Sequence, residues 1–267
     1  PGGAFLLAHL GDGDGGVWRL DPDGTASPVL TEIDGTPLPP TNLVLHDDRG
    51  RLWVTVSTRR HPRALAYRGD VADGFVVLVD DDGARIVADG LGYANECAIH
   101  PDGRRLFVNE TFARRTLCFD IAVDGGLSNR RVVATYGAGT FPDGLAFDAE
   151  GGAWVTSIVS NRLLRVGTDG GGIDIVLEDC DPAALETVER AFVGGTMGRP
   201  HLDTAIGTTL RNISSLAFGG ADLRTGHLGC LLGDAVGRLR LPVAGHPPAH
   251  WRYSLDALDA ALASAAQ

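Results

Sequence analysis

The stretch Phe141-Pro142-Asp143-Gly144-Leu145-Ala146-Phe147-Asp148-Ala149-Glu150-Gly151 recurs along this chain. Thr41-Asn42-Leu43-Val44-Leu45-His46-Asp47-Asp48-Arg49-Gly50 aligns with it, as does Ala94-Asn95-Glu96-Cys97-Ala98-Ile99-His100-Pro101-Asp102-Gly103. Ile213-Ser214-Ser215-Leu216-Ala217-Phe218-Gly219-Gly220 is a looser fourth copy. Each begins with a small polar residue (Asn42, Asn95, Asp143, Ser214), runs through an apolar stretch and ends in a turn. After the first three turns a second apolar run starts, at Leu52-Trp53-Val54, Leu106-Phe107-Val108 and Ala153-Trp154-Val155.

Working outward, the second unit predicts strands over 43–46, 52–57, 74–80 and 84–88, and the third over 96–100, 105–109, 116–121 and 130–135. The fourth predicts 145–148, 154–158, 162–166 and 173–177. Asp-Gly pairs at 82–83 and 169–170 read as hairpin turns. The first unit offers two strands, 4–10 and 16–21, and lacks an innermost one; a Pro-rich loop (Pro37, Pro39, Pro40) leads to Asn42. The fifth runs through 216–218, 227–232, 236–241 and a last strand near 249–253. Between the fourth and fifth, Asp181 caps a helix that Pro182 opens and Gly194-Gly195 ends. A second amphipathic helix is expected over about 254–266.

The four heads stand 53, 48 and 71 residues apart, the longest interval holding the helix. Four strands repeating at a period of about 40–50 residues are the mark of propeller blades. A sandwich, the other home for evenly spaced strands, does not repeat its own strand sequence. The expected fold is therefore an all-β propeller over residues 1–267 as one domain, with a helical insertion at about 181–194. Five units are visible, the first incomplete. The first strand of a blade lies nearest the axis, so Asn42, Asn95, Asp143 and Ser214 would converge there. Amide and carboxylate oxygens suit a hard divalent cation such as Ca2+ or Mg2+. The plainer reading of such residues is that they satisfy backbone at strand starts.

Composition narrows the function. The 267 residues carry a net charge of −11, with 23 Lys plus Arg against 34 Asp plus Glu. That argues against nucleic acid and against an anionic membrane surface. No apolar run approaches a bilayer span, and no secretory signal is visible, so a cytoplasmic location is expected. The chain starts at Pro1 rather than Met, which leaves room for an upstream segment. Cys97, Cys118, Cys180 and Cys230 have neither disulfide-like nor metal-like spacing and read as free thiols. No Gly-x-Ser-x-Gly elbow is present for a serine hydrolase.

With Asn42, Asn95 and Pro142-Asp143-Gly144 in register, the sequence resembles the senescence marker protein, gluconolactonase and luciferin-regenerating enzyme family over roughly residues 4–245. That family's members are six-bladed propellers related in plan to paraoxonases and diisopropyl-fluorophosphatases. The resemblance implies a divalent metal, Ca2+ first and Zn2+, Mn2+ or Mg2+ otherwise, with Asn42, Asn95 and Asp143 among its ligands. It also implies Asp143 as general base and a sugar-type lactone as substrate. The family's further Glu ligand, in a Glu-Gly-Pro-like stretch, has no counterpart here; either an upstream blade would supply it or the chain is a truncated, metal-weak relative. Leu43 and Glu96 follow the two Asn heads where the family often has Asp or Gly, which bears on sugar specificity.

Further pocket candidates are Glu96, Glu110 and Ser214, with Arg59, Arg60, His61 and Tyr67 in the basic insertion 58–68. His46 and His100 read as turn-formers in the place held by Asp148. Alternatives to the lactonase are phosphotriester hydrolysis at the same metal and a non-catalytic binding platform. A metal-free propeller of the strictosidine synthase type would need a catalytic Glu that has no evident place here. Oligomeric state is not legible.

Overall fold

A computed structural model describes residues 3–11, 13–204, 207–252, 256 and 263. The first sheet contains β1 (Phe5–Ala8), β2 (Val17–Leu20) and β3 (Ala26–Leu30), followed by a short hairpin of β4 (Glu32–Ile33) and β5 (Thr36–Pro37). The second contains β6 (Thr41–His46), β7 (Leu52–Val56), β8 (Gly74–Asp80) and β9 (Gly83–Leu91). The third contains β10 (Ala94–Ile99), β11 (Arg105–Glu110), β12 (Arg115–Ile121) and β13 (Leu127–Thr135). The fourth contains β14 (Phe141–Phe147), β15 (Ala153–Ile158), β16 (Arg162–Val166) and β17 (Ile173–Glu178). Two helices, α1 (Pro182–Val193) and α2 (Arg199–Asp203), precede a fifth sheet of β18 (Ile213–Gly219), β19 (Thr225–Cys230) and β20 (Gly237–Arg240). Within each of the five sheets the strands pair antiparallel in sequence order. That is the blade plan of a β-propeller, with five blades among the described residues.

The core explains why the second strands are apolar on both faces. A strand turns alternate side chains to opposite sides. In β11, Leu106 and Val108 pack toward the second sheet while Phe107 packs toward the fourth. In β15, Ala153 and Val155 face the third sheet and Trp154 faces the fifth. In β7, Trp53 faces the third sheet, and Leu52, Val54 and Val56 face the first. Each blade is thus buried against the next, so a run without polar alternation is what a propeller demands.

A repeated polar clamp closes the turns. Asp148 Oδ1 accepts from Glu150 N and Gly152 N, while Oδ2 accepts from Trp154 Nε1 at 2.9 Å and Arg165 Nε at 2.7 Å. Asp47 does the same with Arg49 N, Arg51 N, Trp53 Nε1 and Arg51 Nε. The clamp corrects the placement of His46: Asp47 holds the position of Asp148, and His46 is the last residue of β6. His100 does occupy that position in the third blade, where its ring accepts from Asp102 N and stacks on Phe107.

Other differences are local. The first sheet gains a third strand, β3, that sequence reading did not propose. The strand expected near 249–253 is a 3-10 turn over Ala249–Arg252. A short helix, α2, forms at Arg199–Asp203, where the sequence carries no helical periodicity. The C-terminal helix expected over 254–266 falls almost wholly outside the described residues. Helix α1 matches its expectation: Asp181 accepts from Ala183 N and Ala184 N, and Pro182 occupies the first turn. All four cysteines are free. No helix among the described residues is long and apolar enough to cross a membrane.

Candidate active site at the propeller axis

Register shifts mark where the innermost strands turn their heads inward. Pairing is interrupted between Thr41 and Leu43 in β6 and between Ala94 and Cys97 in β10. It is interrupted again between Pro142 and Leu145 in β14 and between Ile213 and Ser215 in β18. The residues inside those intervals are Asn42, Asn95 with Glu96, Asp143 with Gly144, and Ser214. A bulge places two residues opposite one and re-aims a side chain that the ladder would otherwise fix. Gly144 is needed at its bulge: a Cβ there would stand 2.6 Å from Ser214 O.

The result is one cavity of about 200 Å3 lined by Asn42, Asn95, Glu96, Asp143 and Ser214. Hydroxyls on the neighbouring strand fix both amides. Asn42 Nδ2 donates to Ser57 Oγ at 3.0 Å, and Asn95 Nδ2 donates to Thr111 Oγ1 at 3.0 Å. Thr111 Oγ1 in turn donates to Pro142 O at 2.8 Å, and Asn109 Nδ2 donates to Asp143 O and Gly144 O. The third blade thereby holds the head of the fourth. With their nitrogens engaged, Asn42 and Asn95 keep Oδ1 as a further acceptor. Tyr93, just before the β10 bulge, holds φ at 67°, an uncommon conformation for an aromatic residue.

Asp143 is 8% exposed, and burial pushes its carboxyl well above the usual carboxylate range. The nearby Glu96 charge adds to the rise, and the Asn95 side chain opposes it. Glu96 is pushed up to about 7 by burial, against the pull of the Leu145 N–H that donates to it at 2.8 Å. Two carboxylates side by side in a shielded pocket resist sharing negative charge. A bound dication would relieve that cost. Oxygen donors from two carboxylates, two amides and a hydroxyl fit a hard divalent ion.

A cap covers the cavity. A 3-10 turn over Arg63–Ala66 in the insertion brings Arg63 and Tyr67 to the wall, and α2 brings Arg199 and Leu202. Asn212 Nδ2 donates to Leu202 O, tying α2 to the start of β18. Helix α1 docks through Val188, Ala191 and Phe192 on a cluster with Tyr67, Tyr93, Phe112 and Phe141. Phe192 and Phe141 meet edge to face at 5.3 Å, and Arg114 stacks on both.

Three candidate residues stand elsewhere, which corrects their placement at the pocket. Glu110 is fully buried as a clamp, accepting from Gly92 N at 2.5 Å and paired with Arg115. Arg59 pairs with Asp89 and lies over Phe75. Arg60 pairs with Asp73 and faces a separate surface groove of about 440 Å3. Sequence reading missed Ser57 and Thr111, whose only signal is a hydroxyl residue following the second strand. It also missed Arg63 and Arg199, in segments with no periodic pattern.

Fold and site together define a β-propeller whose innermost strands present an oxygen-lined axial cavity. The chain belongs to the SMP-30/gluconolactonase/LRE-like family, whose sequence model matches residues 8–181. It is 27% identical over 179 residues to a 6-deoxy-6-sulfogluconolactonase of Pseudomonas putida, spanning 64% of this chain and 56% of that protein. The chain thus matches little more than half of that relative's length. Its fold is similar to that of a luciferin-regenerating enzyme, with TM-score 0.64, 19% identity, and 92% and 77% of the two chains covered. A gluconolactonase of Xanthomonas campestris gives 0.61 at 22% identity over 89% and 69%. Regucalcin of Agrobacterium tumefaciens, described as calcium-binding, gives 0.61 at 17% over 91% and 77%.

Proposed function

We propose that this chain is a metal-dependent hydrolase that opens a sugar-type lactone, acting as one propeller domain on the family's six-bladed plan, in the cytoplasm. The observation that carries this reading is the convergence of Asn42, Asn95 and Asp143, each on a bulge, in one capped cavity. Those three residues would hold the cation, with Ca2+ the first candidate given the regucalcin likeness. When bound, the ion supplies Lewis-acid polarisation of the lactone carbonyl.

The remaining work falls to the chain's own side chains. Asp143 orients the attacking water and accepts its proton as the ring carbon becomes tetrahedral. A carboxylate beside a dication is a weaker base, so orientation is the larger part of that role. Ser57 and Thr111 keep the Asn42 and Asn95 amides turned so that their oxygens stay available. The aromatic cap excludes bulk water and narrows the entry.

Phosphotriester hydrolysis at the same ion and a non-catalytic binding role are the competing readings. Parallel assays separate them: a gluconolactone and an aryl dialkyl phosphate, each with added Ca2+ or with chelator. The lactone should be opened above its spontaneous rate only with the ion, and Asp143→Ala should lose that activity by several orders of magnitude. Near-full lactonase activity in Asp143→Ala, or none in the wild type with any divalent ion, overturns the reading.

A further inference from the structure

We infer that the lactone taken by this cavity carries an anionic substituent, such as a sulfonate or phosphate, bound by Arg63 with help from Arg199. The inference rests on the lactonase reading and adds the substrate's charge.

Every cation in this chain is arginine, since all 23 Lys-plus-Arg positions are Arg. Most of those described are paired with a carboxylate, as with Arg59, Arg60, Arg68, Arg85 and Arg115. Arg63 differs. It lines the axial cavity, yet among the described residues no carboxylate oxygen lies within 4.0 Å of it. Its charge is nonetheless felt by Asp143 and Tyr93 across the cavity. Arg199 lines the same wall, and its Nε donates to Asp203 Oδ1 at 2.7 Å. That bond and an interaction with the Tyr67 side chain hold the guanidinium at the cavity wall, and its five-donor fork has N–H groups to spare for a further partner.

The cavity is therefore divided by charge. One wall carries Asp143, Glu96 and the amide heads; the cap carries two guanidinium groups and the Tyr67 ring. A neutral sugar lactone would leave Arg63 without a counter-charge in a partly shielded site. A lactone with its carbonyl toward Asp143 and an anion toward the cap matches both walls. Arginine is suited to this, because its planar fork meets the oxygens of sulfonate, phosphate or carboxylate two at a time.

The test compares glucono-1,5-lactone with its 6-phospho and 6-sulfo counterparts, in wild type and in Arg63→Gln, Arg63→Lys and Arg199→Gln, with melting temperature as a folding control. An anion-binding arginine predicts a higher kcat/KM for the charged lactones. It also predicts that Arg63→Gln costs the charged lactones about ten- to a hundredfold more than the neutral one, the range of a charge-assisted hydrogen bond. The extra loss should fall mainly in KM, and Arg63→Lys should recover part of it. Comparison of the two charged lactones separates sulfonate from phosphate preference. Equal kcat/KM for all three lactones overturns the inference while leaving the lactonase reading intact, as does an equal loss in Arg63→Gln. An arginine holding only the acid product would give that equal loss. Turnover of none of the lactones overturns both.

Discussion

Glu96 reaches from one blade to the next: its Oε2 accepts a hydrogen bond from Leu145 N at 2.8 Å, two residues along β14 from Asp143. The contact sets a second carboxylate beside the first, at the point where β10 and β14 both carry a register shift. Its energetic consequence is a pH dependence. Burial raises Glu96 from 4.5 to about 7, so between those values the folded chain holds a proton that the unfolded chain has lost. Stability contributed by this group is present at the acidic end and is lost as pH rises through about 7.

Thermal melts in chelator should therefore show the wild type losing stability between about pH 5 and pH 8, by an order of 1–3 kcal/mol from this group. Glu96→Gln should flatten that part of the slope, since it keeps the shape and removes the charge. An unchanged slope in the variant contradicts the burial of Glu96 as its cause.

The Asp148 clamp predicts a loss of stability far from the cavity. Asp148 is fully buried and accepts from two backbone N–H groups, Trp154 and Arg165. Removing it leaves the Trp154 indole N–H and the Arg165 Nε–H without their acceptor, while Arg165 keeps its pair with Glu150. Asp148→Ala should cost about 2–4 kcal/mol, and Asp47→Ala a similar amount. Chemical denaturation measures both. A cost under about 0.5 kcal/mol, the usual size for a surface change, contradicts the clamp.

Thr111 predicts an effect on the cavity without contact to a substrate carbonyl. Its hydroxyl accepts from Asn95 and donates to Pro142 O, joining two heads of the ring. Thr111→Val keeps the volume and removes both bonds. Ca2+ affinity by titration calorimetry should fall about tenfold, the usual loss when a residue that orients a metal ligand is replaced, while Thr111→Ser should retain most of it. Equal affinity in Thr111→Val would remove Thr111 from the positioning network.

Much of this was readable before any coordinates. The strands were legible because a blade buries both faces of its second strand, which leaves continuous apolar runs such as Leu52 to Val56 and Ala153 to Ile158. The heads were legible because a small polar residue (Asn42, Asn95, Asp143, Ser214) recurs at the same place ahead of each copy's apolar stretch. The bulges were not, since one extra residue in a strand leaves no mark in composition. The cap was legible only in part: Tyr67 of the insertion stood among the pocket candidates and lines the cavity, whereas Arg63 and Arg199 are placed by the packing of α1 and the insertion on Phe112 and Phe141, contacts distant in sequence. Arg59 and Arg60 look equivalent to Arg63 in a basic stretch, and only their partners Asp89 and Asp73 draw them away.

The central claim is that Asn42, Asn95 and Asp143 share one cation, and anomalous diffraction from crystals grown with Mn2+ tests it most directly. The account predicts a single strong anomalous peak in the axial cavity, in contact with oxygens of all three residues and lost in Asp143→Ala. No peak there, or a peak at the surface while lactone turnover persists in chelator, would contradict it.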